Sequence, residues 1–136
     1  MLRRKLIHHG EAVVLIALGG ILGANIRYTI GAAAGSALFV TLLVNTAGSF
    51  GLGLLLFDAR ADELLSKRFR YIFATGFLAS FTTYSTFIAD IALNSPALSI
   101  AYLIGSYATG FAGVVASRTV VRTTSTANIQ PPMGDD

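Results

Sequence analysis

The chain has 136 residues, of which 54% are hydrophobic and only 12% charged, and its formal net charge is +3. An ordinary soluble domain carries about 25% charged residues, so the composition points to a membrane and away from a soluble helical bundle. With no cysteine, disulfides and thiol chemistry are excluded.

Four apolar blocks run over roughly 12–33, 36–57, 70–93 and 97–117. Each is close to the ~20 residues that cross a hydrocarbon core as helix. The predicted fold class is an all-α membrane protein, with four transmembrane helices in one domain spanning 1–117. These helices consume most of the chain, no soluble catalytic domain fits, and His8 and His9 are the only histidines. An enzyme is not expected.

The first block is longer than a signal peptide's apolar region and contains Arg27, so it reads as a retained helix. Its Gly19 and Gly23 form a small-xxx-small pair that lets backbones approach closely. Ala34 and Gly35 alone separate it from the second block. There, Asn45 lies near mid-membrane depth and Ser49 follows one turn later on the same face. The Asn45 amide either donates to an anion or bridges two helices. Ser49 and Gly53 make a second close-packing pair. The connection 58–70 is the one charged loop.

The third block carries Thr82, Thr83, Ser85 and Thr86 within five positions of one another. Hydrocarbon offers hydroxyls no partners, so the cluster should face protein or a polar path. The nearest charged residues are Arg70 and Asp90. Tyr84 and Phe87 share a helix face, either as a packing pair or with ring edges, which carry partial positive charge, toward an anion. Asn94-Ser95-Pro96 is a compact turn. The fourth block pairs Tyr102 with Ser106 on one polar stripe, and Gly105, Thr109 and Gly113 on a small-residue stripe. From Arg118 the chain is Thr/Ser-rich, and 118–136 is predicted to be a disordered polar tail.

Arg3, Arg4, Lys5, then Arg60, Lys67, Arg68 and Arg70, then Arg118 and Arg122 all fall on one side of four spans. Both termini are therefore predicted to be cytoplasmic. The opposite loops hold no Lys or Arg, although Arg27 lies toward them. The basic balance comes from these flanks, so no nucleic acid partner is expected. Four helices are few to enclose a pathway, which implies an oligomer. Neutral donors without a fixed cation suit a small dehydrated anion that must also be released. From the residues alone the permeant is a small polar or ionic species. A small four-helix multidrug or cation transporter is the alternative, but Glu11 lies at a helix start and Asp90 near a helix end. A non-conducting structural membrane subunit would leave the hydroxyl cluster unexplained.

Three motifs carry a family resemblance. Gly19-Gly-Ile-Leu-Gly-Ala-Asn-Ile-Arg-Tyr28 is similar to GGxxGAxxRY, and Thr41-Leu-Leu-Val-Asn-Thr-Ala-Gly-Ser-Phe50 to TLxVNxxGSF. Thr75-Gly-Phe-Leu with Phe81-Thr-Thr-Tyr-Ser-Thr-Phe87 is similar to TGFxGGxTTFSTF. In this order, over nearly all of 12–117, the chain resembles the CrcB/Fluc fluoride channels. The resemblance implies a passive, multi-pass fluoride exporter of the cell membrane that relieves fluoride toxicity. It implies an antiparallel, dual-topology dimer in the lipid, with pores at the subunit interface.

By the same resemblance Asn45, Tyr84, Ser85, Thr86, Phe87, Tyr102 and Ser106 line the pore. Arg27 matches the first-helix arginine, either an interfacial anchor or a cation that draws anions into a vestibule. The third helix is implied to be broken, with the backbone carbonyls of Ala79 and Thr82 holding a structural sodium ion at the dimer centre.

The chain departs from the family pattern in three places. Ala79-Ser80 stands where the helix break has Gly-Gly, Tyr84 replaces the first phenylalanine, and a third polar position of the last helix falls on Gly110. A Cβ at the break resists positive φ. The one-sided Lys/Arg bias also implies insertion in one orientation, opposite a separately encoded homologue, as an alternative to a homodimer.

Overall fold

In hydrocarbon every backbone N–H and C=O needs a partner within the protein, and a helix supplies them locally. The computed structural model describes residues 2–57 and 66–127, and the elements among them are all helical. They comprise α1 (Leu2–Ala33), α2 (Ala37–Phe57), α3 (67–81), α4 (Tyr84–Leu93) and α5 (Pro96–Ala127). Four segments are long and apolar enough to cross a membrane: His9–Ala33, Ala37–Phe57, Arg68–Leu93 and Pro96–Thr124. The third contains both α3 and α4, so the third span is broken. Most of the charged connection 58–70 and the end of the chain from 128 lie outside the described residues.

Two helix ends differ from expectation. The last helix does not stop near 117 but runs on through Ala127, so 118–127 is helix, not disordered tail. Its threonines are accommodated there: Thr119, Thr123 and Thr124 satisfy their hydroxyls on carbonyls of the preceding turn. Hydropathy marks where a helix leaves the bilayer, not where it ends. The same holds for α1, which begins at Leu2 and not near 12. Glu11 thus sits within a helix, where it pairs with Arg68 at the start of α3.

Packing divides the helices into two pairs. α1 lies along α3, α2 lies along α5, and α4 fits between α2 and α5. Glycines set the closeness of both. Gly19 and Gly23 rest on the α3 backbone at Ile72 and Phe77, and a β-carbon on Gly76 would meet the Ile16 carbonyl at 2.5 Å. Gly53 admits Ser117, and Gly113 seats a β-carbon position 3.0 Å from the Thr46 carbonyl. A Thr46–Thr109 hydrogen bond of 2.9 Å joins α2 to α5. The buried core is small, built on Val40, Val44 and Phe81. Many large apolar side chains face outward, as lipid-facing residues should.

Within α3, Tyr71–Leu78 is wound as a π-helix. Such wide turns are rare and usually short. Phe69, Phe73, Phe77 and Phe81 stack successively along it, with ring centroids 5.4, 5.1 and 5.5 Å apart. The ladder ends where the helix does.

Candidate ion pathway

The pathway is organised by the break. After Phe81 the chain turns extended at Thr82 (φ −77°, ψ 158°) and Thr83 (φ −147°, ψ 123°), then resumes as α4. The break therefore falls at Thr82-Thr83. Ala79 and Ser80 lie before it in right-handed helix, Ala79 at φ −65°, and no described residue has positive φ. The Ala-Ser pair is not strained, because the position does not need glycine's freedom.

Side chains replace the missing helical bonds. Asn45 on α2 grips the Thr83 peptide from both sides: Nδ2 donates to the Thr83 carbonyl at 3.0 Å, and Oδ1 accepts its N–H at 2.8 Å. Thr83 Oγ1 caps α4 by accepting the Thr86 N–H at 3.2 Å. It also donates to Thr86 Oγ1 at 2.9 Å and lies 3.4 Å from Ser85 Oγ. The hydroxyl cluster is a network centred on Thr83. Diverting the Thr83 and Thr86 N–H groups takes from the Ala79 and Thr82 carbonyls the donors that an unbroken helix would give them.

Three grooves meet around this junction. The first, about 320 Å³, is lined by Asn45, Ser49, Tyr84, Phe87, Ser106 and Tyr107 among others. Asn45, which keeps one amide N–H beyond its bonds to Thr83, lines this groove with Ser106 and the Tyr84 and Phe87 rings, and no lining residue is ionisable as a carboxylate or cation. Ser106 Oγ is buried without a hydrogen-bond partner. Phe87 is buried and packs against Tyr84, Tyr102 and, edge to face, Tyr107 at centroid distances of 6.0, 5.6 and 6.1 Å. The second groove, about 400 Å³, brings Ala79, Thr82 and Thr83 together with Asn45 and Gly48. The third, about 440 Å³, runs from Arg27 and Tyr28 to Thr83 and Thr86.

Of the seven residues assigned to the pore, Asn45, Tyr84, Phe87 and Ser106 share the first groove. Thr86 instead faces the Arg27 groove, and Ser85 lies in the Thr83 network. Tyr102 is buried behind Phe87, its hydroxyl 3.4 Å from Asp90 Oδ2, and it lies near Thr41 and Ser106 without a closer bond. Asp90 is buried near the end of α4.

Residues 14–118 match the family described as CrcB-like protein, Camphor Resistance (CrcB). The chain belongs to this family. Among its CrcB relatives is Fluoride-specific ion channel FluC 1 of Haloarcula marismortui, 46% identical over 117 residues, covering 82% of this chain and 87% of the relative. Fluoride-specific ion channel FluC 1 of Natronomonas pharaonis is 40% identical over 113 residues, covering 82% and 95%. Fluoride-specific ion channel FluC 2 of Halobacterium salinarum is 42% identical over 114 residues, covering 83% and 88%. As a CrcB protein the chain is a multi-pass membrane protein of the channel class, not an enzyme.

Sequence reasoning passed over Thr83 and Tyr107 as site residues. Thr83 had a readable signal: a threonine three residues before Thr86, opening a helix after a break, has the spacing of an N-cap. Nothing in the sequence distinguishes Tyr107 from a lipid-facing tyrosine. Thr83→Val is expected to lower thermal stability by about 1 kcal/mol through loss of the cap, with Thr83→Ser near wild type. Unfolding in detergent checks both.

Proposed function

We propose that this chain forms a fluoride-selective channel that lets fluoride leave the cell passively and so limits fluoride toxicity. The observation that carries the reading is the first groove. It is lined by the Asn45 amide, the unengaged Ser106 hydroxyl and aromatic rings, without a formal charge. The names of the relatives supply the ion. Fluoride shedding its water needs strong, compact donors, and a fixed cation would hold it too long for conduction. The start of α4 adds to this, since a helix N-terminus carries about half a positive charge as a dipole. Arg27 sits apart, at the head of the third groove, where it suits attraction of anions from solution.

None of the three grooves is enclosed by this chain alone, which supports a dimer whose second protomer closes them. An antiparallel arrangement would bring two broken spans face to face in the lipid. The Ala79 and Thr82 carbonyls would suit a sodium ion there: both lack their helical donors, and both residues line the second groove. Uncharged oxygens suit a hard cation, and a bound ion would supply the positive charge that these carbonyls otherwise lack in hydrocarbon. Ala79 and Thr82 would hold it together with the partner's oxygens.

Fluoride efflux from liposomes, with chloride as control, tests the function. Fast fluoride-selective efflux is expected. Its absence both from the chain alone and from the chain with an oppositely inserting homologue would overturn the reading. A C-terminal tag decides the partner: found equally on both faces it means a homodimer, and on one face it means the oppositely oriented homologue that the Lys/Arg bias favours.

A further inference from the structure

The first groove continues one helical turn beyond Asn45 and Ser106. On α2, Ser49 follows Asn45 by one turn, and on α5, Gly110 follows Ser106 by one turn; all four line the groove. The Thr46–Thr109 hydrogen bond holds the two helices in this register. A β-carbon on Gly110 would lie 3.7 Å from Ser49 Oγ, so the two positions face each other at ordinary contact distance. At this second level Ser49 is the hydroxyl, and Gly110 leaves it room.

Hydroxyls in membrane helices commonly bond back to a carbonyl three or four residues earlier. Thr29, Thr82 and Ser117 do so here. Ser49 does not: among the described residues nothing engages its hydroxyl by a hydrogen bond. Ser106 Oγ is likewise unpartnered. Leaving a buried donor unpaired is unfavourable by about 1–3 kcal/mol in a folded protein. Ser106 Oγ is such a donor, and the half-buried Ser49 adds an unengaged hydroxyl one turn on, so the pair is matched to a ligand that comes and goes. Packing does not account for Ser49, because the close α2–α5 contacts are made by Gly53 on Ser117 and by Gly113 on Thr46 and Phe50.

We infer that Ser49 is a second fluoride-coordinating residue, receiving the ion as it moves one turn along the groove from Asn45 and Ser106. This rests on the fluoride-channel reading. Ser49→Ala removes the hydroxyl while keeping a small side chain. It is expected to slow fluoride efflux about tenfold, the equivalent of one lost hydrogen bond to a charged group. Because Gly110 has space for a side chain, Ser49→Ala with Gly110→Ser returns a hydroxyl to the same level from the opposite wall. That double variant is expected to recover most of the flux.

The measurement is made in whichever dimer conducts, with thermal unfolding in parallel to confirm that each variant folds. Wild-type efflux from Ser49→Ala would overturn this inference while leaving the channel reading intact. So would a folded double variant that stays as slow as Ser49→Ala, since a wall-packing role is not restored from the opposite helix. A wild-type protein that conducts no fluoride in either dimer overturns both.

Discussion

Asn45→Ala is expected to abolish fluoride flux and to lower stability by about 2–4 kcal/mol, because both peptide groups of Thr83 lose their partners together. Few single side chains hold a chain break from both directions. With the clasp gone, Thr82 and Thr83 would be drawn back toward continuous helix, which re-pairs the backbone but turns Tyr84 and Phe87 away from the groove. The loss should therefore appear in thermal unfolding as well as in efflux. A variant that loses flux yet melts like wild type would show that the amide serves the ion alone and does not hold the break.

Gly23→Ala should be as severe, for a steric reason. Its methyl would overlap the Phe77 carbonyl and meet the Phe81 N–H group at 3.0 Å, so both obstacles are backbone and cannot rotate aside. Overpacking of this kind is unfavourable by about 1–3 kcal/mol and by more when main chain must move. We expect α1 to be levered from α3 just ahead of the break, with loss of a monodisperse folded protein. Gly105→Ala is the matched control, since nothing lies within 4 Å of that β-carbon position. It should be neutral or stabilising by up to about 1 kcal/mol. Equal damage from both substitutions would refute the packing argument.

Much of this architecture was legible in the residues. Hydrocarbon imposes length and apolarity so strongly that four blocks read directly as four spans, and hydroxyls clustered in the third pointed to a polar environment, while the break itself came only from the family resemblance. The exact break was less readable. Glycine-like expectations drew attention to Ala79-Ser80, whereas the chain opens at Thr82-Thr83, where side-chain oxygens can replace backbone partners. Asn45 illustrates a deeper limit. Its two possible roles, donor to an ion and bridge between helices, looked like alternatives, but an amide has enough valence for both: one N–H and the oxygen hold Thr83, and one N–H remains. Helix ends in water were invisible to hydropathy because nothing apolar marks them. The π-wound stretch of α3 had no sequence signal at all, since its turns differ from α only in how the backbone pairs.

The Asn45–Thr83 clasp also bears on how the protein is made. During synthesis the third span leaves the ribosome after α2, and each half of it is too short to cross the bilayer alone. A span already broken would carry bare carbonyls at Ala79 and Thr82 into lipid, at several kcal/mol each. Continuous helix has no such penalty. The third span should therefore be inserted whole and open only when it docks against α2, so that the kink is a product of assembly inside the membrane, not a precondition for reaching it.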